Sequence, residues 1–270
     1  MPDLLNPAAL ARLREPRLAR ALRYAADESL DVGGGCVGFS GIGSWSNQAV
    51  GLGFAGEVSA DDVAAIIDFH GSRGVEPKVE VAPHADPSCL ARLREAGFTV
   101  AGFEQVLVRP LEGALPPIDP SIEVAVLDPT DADQVRRVQD LQARSFASDE
   151  SAEADDHHRR LFGLYMSHPA TRTVIALVDG VEAGSAMVEL DPPVAQFFAG
   201  GTLPSMRRRG VQRALLVARL RMAIEAGCSY ASTDSAPGGG TERNAVRLGF
   251  VGAYTRVSLV HPGEGLAPSP

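Results

Sequence analysis

Gly201 to Gly227 reads GTLPSMRRRGVQRALLVARLRMAIEAG, a strand end, a basic loop and a helix in succession. Pro204 forces the chain out of a sheet, because proline has no N–H to give a neighbouring strand. Val211, Leu215, Ala218 and Met222 recur at helical spacing and predict a buried stripe, which leaves Arg213 and Arg221 on other faces. The first N–H groups of a helix lack partners and carry about half a positive charge, so they attract an anion. Arg207, Arg208 and Arg209 add charge at the same place, and Gly210 removes a side chain that would hold a phosphate off the backbone. The stretch reads as a pyrophosphate cradle, with neither a Walker loop nor a GxGxxG fingerprint. Taken alone, the arginine run is equally a solvated surface cluster, and its setting decides between the two.

The 270 residues are about right for two domains, and 45 % hydrophobic with 22 % charged residues is the balance of a globular chain. A net charge of −9 speaks against a general nucleic-acid partner, so the basic cluster serves a small local anion. No apolar run approaches the ~18 residues of a membrane helix and no signal-peptide core opens the chain, so no membrane partner and a cytoplasmic setting are expected. Cys36, Cys89 and Cys228 are odd in number and far apart, which suits reduced, buried thiols.

The segments divide as an α/β chain. Residues 1–30 read as helical, with Pro16 expected to break the helix in two. Ser59 reads as the N-cap of a helix over 60–74, followed by strand KVEVAP, helix DPSCLARLREAG and strand FTVAGFEQVLVRP. Residues 111–121 carry three prolines and read as a linker. After it come strand IEVAVL, a helix capped by Thr130 or Asp131, a second helix, and a hairpin turning at Asp179-Gly180. Strand VAQFFAGGTL, the arginine-led helix, strand CSYASTD, helix TERNAVRLG and strand FVGAYTRVSLV complete the pattern. GFTVAGFEQVLVRP (97–110) and GFVGAYTRVSLVHP (249–262) agree at six of fourteen positions without a gap, so the halves read as copies of one mixed α/β unit. The expected domains are 1–110 and 122–262, with 263–270 a flexible tail.

Residues 122–262 resemble the GNAT superfamily of acetyl-CoA-dependent N-acetyltransferases. RRRGVQ (207–212) is similar to that family's acyl-CoA loop, Arg/Gln-x-x-Gly-x-Gly/Ala, except that Gln212 stands where glycine or alanine is usual. TERNAVRLGF (241–250) is similar to the family's helix before its last long strand, including the Gly-Phe ending. The resemblance implies two tandem GNAT-like domains, each a mixed central sheet flanked by helices, with one active site in the second. It implies acetyl-CoA as co-substrate. Amides of Arg208, Arg209, Gly210, Val211 and Gln212 would hold the pyrophosphate, with Arg207 and Arg209 reinforcing the charge. Gly201, Thr202 and Leu203 would bind the pantetheine arm, and one amide there would polarise the thioester. Asn244 would face the thioester sulfur or the arm.

Direct transfer of an acetyl group to an amine needs an acid for the leaving thiolate and a base for the ammonium. The family's usual tyrosine position is Ala245 here, and Tyr254 is the nearest replacement, either the general acid or a packed strand aromatic. Glu189 and Asp234 are the base candidates beside water. SDESAEADDHH (148–158) either attracts a cationic amine or is a solvated loop. Neighbouring His157 and His158 point about 100° apart on a helix and have no third ligand in register, so no metal is expected. In the first half, FAGEVSADD puts Glu57, Asp61 and Asp62 where phosphates would sit, which marks that copy as degenerate. The expected activity is N-acetyl transfer to a small-molecule or peptide amine. A non-catalytic acyl-CoA-binding sensor is the alternative, made plausible by Ala245, and a phosphate-ester binder accounts for the loop but not for Asn244.

Overall fold

The computed structural model describes residues 3–146, 154 and 156–269, so most of the acidic 148–158 segment lies outside the described residues. The chain forms two compact units, Met1–Val106 with Gly252–Pro270, and Leu107–Val251. This division differs from the expected 1–110 and 122–262, because the last strand groups with the first half of the chain.

In the first unit, α1 (Pro7–Ala25) starts where the Asn6 side chain accepts from the N–H groups of Ala8 and Ala9. It runs through Pro16 unbroken, against expectation. Leu10, Ala11, Ala19 and Leu22 are buried along it. A buried leucine contributes about 1.5–3 kcal/mol, so together they offset the ~3 kcal/mol that an interior proline costs. The hairpin β1 (Glu28–Val32) and β2 (Gly35–Phe39) leads to the short β3 (Ala49–Val50), α2 (Ala60–Gly71), β4 (Lys78–Val81) and α3 (Pro87–Glu95). β5 (Thr99–Pro110) leaves this unit after Val106. β11 (Val251–Val260) lies antiparallel to β4, with Val257 opposite Val81 and Val260 opposite Lys78. The two stretches 97–110 and 249–262 carry the same residue at six of fourteen positions, so either suits the slot beside β4. The tail is tied down rather than free: the Ala267 N–H donates to Gly74, and the Glu76 N–H to Ala267.

The second unit contains β6 (Ile122–Val126), α4 (Ala132–Phe146), α5 (Asp156–Ser167), β7 (Thr171–Val178), β8 (Val181–Asp191) and β9 (Val194–Thr202). It continues with α6 (Val211–Glu225), β10 (Tyr230–Ser235) and α7 (Gly240–Val246). Its strands follow the order β10-β9-β8-β7-β6. Asp131 caps α4 by accepting from the N–H groups of Asp133 and Gln134. The β7–β8 turn falls at Asp179-Gly180, both left-handed, as the sequence indicated. One face of the sheet packs on α6 through Val188, Phe197, Leu216 and Leu220. The other packs on α4 and α5 through Met187, Leu141, Phe162 and Met166. Leu111, Leu115 and Ile118, from the expected linker, also pack into this unit. All three cysteines are buried, and among the described residues none is in a disulfide. Among the described residues no helix is long and apolar enough to cross a membrane.

His70 of α2 is fully buried, and its Nε2–H donates to the Gly38 carbonyl at 3.0 Å. Burial holds its pKa below 6.5, outweighing the hydrogen bond to Gly38. The unfolded chain then takes up a proton as pH drops through 6.5 while the folded chain does not, so stability falls with pH in that window. Denaturant midpoints should therefore drop between pH 7.5 and 5.5, and the drop should be smaller in His70→Gln. An equal drop in the variant would remove His70 as its source.

Candidate functional site

β9 and β10 run parallel but pair over four residues only, from Val194 opposite Tyr230 to Phe197 opposite Thr233. β9 goes on to Thr202 and β10 to Ser235, so beyond Phe197 the edge of β9 that faced β10 is open. On its other edge β9 stays paired with β8 as far as Thr202 opposite Gly184. That pairing slips between Met187–Phe198 and Ser185–Gly201, where Ala199 and Gly200 together oppose Ala186. Ala199 sits at φ 48, a left-handed conformation that a non-glycine residue adopts at some strain. The close pairing requires glycine at 184, where a Cβ would come 2.4 Å from the Gly201 carbonyl.

Two buried side chains hold this bulge. Gln142 of α4 donates from Nε2 to the Ala199 carbonyl and accepts at Oε1 from the Ser185 hydroxyl, 2.5 Å away. Arg219 of α6, 3 % exposed, donates to the Met187 carbonyl at 3.1 Å and the Phe198 carbonyl at 3.5 Å. Its guanidinium lies 4.6 Å from the centre of the Phe197 ring. Burial pushes the Arg219 pKa down to about 9, which still leaves a cation at neutral pH.

After Thr202 the chain makes a 3-10 turn (Pro204–Met206) and the basic loop. Arg208 has φ 62 and Gly210, the N-cap of α6, has φ 86. Only glycine adopts the second without strain, and a Cβ there would also approach Ile122 Cδ1 to 3.3 Å. Among the described residues the N–H groups of Arg208 to Arg213 have no acceptor, and the first bond of the helix is Ala214 N–H to Gly210. The Thr202 hydroxyl, buried beside the open edge, has no partner either. Arg207 and Arg208 are exposed and form no ion pair among the described residues. Arg209 differs from expectation: its guanidinium pairs with Asp179 at 2.9 Å, so its charge is turned to the β7–β8 hairpin.

Asn244, on α7, donates from Nδ2 to Gln212 Oε1, and Gln212 Nε2 donates to Thr241 Oγ1 at 3.0 Å. Asp234 lies on β10 one residue past its last pair with β9. Glu189 lies opposite Gln196 on the paired part of β9. Tyr165 of α5 was not singled out from the sequence. Its ring meets Phe198 edge-on at 5.4 Å, and burial, with Glu189 nearby, pushes its pKa up. Its only trace in the sequence is helical spacing with Leu161 and Phe162. Tyr254 belongs to the first unit and takes the packed position. Its hydroxyl donates to Glu15 Oε1 at 2.6 Å, and burial raises its pKa. Glu15 is also 3.7 Å from the Arg256 guanidinium, so the tyrosine belongs to a buried polar cluster.

The helix start in the first unit is built in the opposite way. Ser59 and Asp62 form a capping box on α2, with Ser59 Oγ accepting from the Asp62 N–H. The Asp62 carboxylate accepts from the Ser59 and Gly33 N–H groups. The bonds from Ser59 hold its pKa below the usual carboxylate value. Among the described residues no cluster of His, Cys, Asp and Glu is arranged to hold a metal ion. His158 stacks on Phe162 at 6.1 Å.

Solved structures share this fold over nearly the whole chain. A GCN5-related N-acetyltransferase from Kribbella flavida superposes with TM-score 0.71 at 20 % identity, covering 95 % of this chain and 97 % of that one. The fold is that of the GCN5-related N-acetyltransferases. A tandem GNAT protein from the clavulanic acid biosynthesis pathway superposes with TM-score 0.62 at 16 % identity, covering 96 % of this chain and 94 % of its own. No family model matches the sequence, and no curated protein matches it. Within this GNAT fold, Ala245 is fully buried against Leu248 and Phe250.

Arg219→Ala would leave the Met187 and Phe198 carbonyls without their donor. Each buried orphan costs about 1–3 kcal/mol, so the unfolding free energy should fall by about 2–5 kcal/mol. Chemical denaturation measures it, and a loss below about 0.5 kcal/mol would show that the bulge stands without the guanidinium.

Proposed function

We propose that the chain is an acyl-CoA-dependent N-acyltransferase, with acetyl-CoA as donor and a primary amine of a small molecule or peptide as acceptor. One observation carries this reading. The open N–H groups of Arg208 to Arg213 follow directly on the open edge of β9, so one ligand can rest its phosphates on the first and its arm on the second. Arg207 and Arg208 supply charge, and the Gly201–Leu203 backbone supplies hydrogen bonds to the arm. A neutral amine nitrogen then attacks the thioester carbonyl carbon. The C–N bond forms, the C–S bond breaks, and the sulfur leaves as thiolate. An N–H of the open strand edge stabilises the carbonyl oxygen as charge builds on it, an effect typically worth ~3 kcal/mol.

Asp234, at the point where β10 leaves β9, is the carboxylate best suited to take the ammonium proton, with Glu189 and water as the other candidates. Tyr165 and Phe198, with Glu189 near the tyrosine, favour a cationic acceptor, since aromatic faces and a carboxylate both attract one. The thiolate takes its proton from water, because the Tyr254 hydroxyl is committed to Glu15. The second reading is an acyl-CoA-binding sensor without turnover, favoured by the buried Ala245 in place of a tyrosine. Release of free CoA thiol on mixing acetyl-CoA with a panel of amines separates the two.

Calorimetry with CoA should give one site per chain, because the α2 start is closed by its own capping box. Arg207→Ala should weaken binding by about 1.5–3 kcal/mol, the size of a charge-assisted contact, and Arg209→Ala should change it little. Two sites per chain, or unchanged affinity in Arg207→Ala, would overturn the assignment.

Tyr254→Phe should keep kcat within a few fold of wild type. It should lower the unfolding free energy by about 1–3 kcal/mol, because buried Glu15 loses a donor. A fall in kcat of ~100-fold with CoA affinity intact would instead return Tyr254 to the chemistry as general acid.

A further inference from the structure

We infer that Asn244 is a positioning residue that acts on CoA binding through Gln212, by keeping that side chain off the anion-binding amides. The inference rests on the acyl-CoA reading above and goes beyond it.

Gln212 is the second residue of α6, and its own N–H belongs to the open row. Glycine or alanine at this position leaves such a row clear. A glutamine side chain carries a carbonyl oxygen on a tether long enough to fold back onto the helix start. Short-range side-chain acceptors of this kind compete for free backbone donors. Here the competition is blocked at both ends of the carboxamide. Oε1 accepts from Asn244 Nδ2, and Nε2 donates to Thr241 Oγ1 at 3.0 Å. Asn244 is itself fixed, because Arg247 Nη1 donates to its Oδ1 at 3.3 Å. Both Gln212 partners come from α7 and its first turn, so a feature of that helix keeps the start of α6 available.

Without Asn244 the Gln212 oxygen loses its donor, and the nearest supply of unused donors is the row from Arg208 to Arg213. Gln212 then becomes an internal competitor of the phosphates. A direct contact between Asn244 and CoA gives a different pattern, because its loss would be felt whatever stands at 212.

The test is CoA affinity by calorimetry in wild type, Asn244→Ala, Gln212→Ala and the double variant. Asn244→Ala should weaken binding about fivefold, the net size of one hydrogen bond. Gln212→Ala should bind CoA at least as tightly as wild type, and the double variant should match Gln212→Ala. This rescue would not follow from a merely structural role for Asn244. If Asn244→Ala does not fold, Thr241→Val with and without Gln212→Ala reads the same competition from the other end of the carboxamide. A double variant as weak as Asn244→Ala would overturn the inference. So would wild-type affinity in Asn244→Ala, or weakening by Gln212→Ala alone. In each of these cases the wild type still binds CoA and the acyl-CoA reading stands. A wild type that binds no CoA overturns both.

Discussion

The guanidinium of Arg219 supports the place where β9 and β10 part. A sheet edge opened inside a folded unit leaves carbonyl groups facing the interior, and a buried polar group without a partner is costly. Arg219 reaches from the middle of α6 to the Phe198 carbonyl of β9 and to the Met187 carbonyl opposite it on β8, while its flat face rests near Phe197. Gln142 does the matching work from the α4 side, tying the strained Ala199 to Ser185. The bulge, the open edge beyond it and the path of the chain into the basic loop all depend on these contacts. A guanidinium that donates from both Nε and Nη1 is a more stable support here than a mobile lysine, whose single ammonium lacks the planar fork.

Much of this was legible in the sequence. The order of helices and strands follows from periodicity, the Asp179-Gly180 turn from residue type, and the open helix start from Pro204, the arginines and Gly210. What was not legible depends on partners distant in the chain. Nothing near Tyr254 indicates that Glu15 receives its hydroxyl, because 239 residues separate them. Arg209 looks identical to its neighbours in sequence, and only the hairpin at Asp179 distinguishes it. Tyr165 carries no motif, and its place against Phe198 exists only once α5 lies on the sheet. Pro16 misled for the opposite reason: a local rule was outweighed by the burial of the face around it.

The two helix starts, α2 and α6, show how little is needed to gain or lose an anion site on one scaffold. At α2, Ser59 takes up the Asp62 N–H, and Asp62 takes up the Ser59 N–H and brings a negative charge to the positive end of the helix. At α6, glycine caps the helix, contributes no side-chain acceptor and leaves the donors open. The difference lies in a few residues, and the strands and helices around each start are of the same kind.

Placing β11 in the first unit has a consequence for how the protein is made. Domains of a growing chain generally fold from the N-terminus onward. Here residues 107–251 are contiguous, whereas the first unit needs residues 252–260 to fill the place beside β4. The half that is synthesised first is completed last. Its exposed β4 edge must wait through the translation of the whole second unit, a period of roughly seven to thirty seconds at ~5–20 residues per second. The charged residues of β4, Lys78 and Glu80, are the kind of residue that keeps a waiting edge from pairing with the wrong strand.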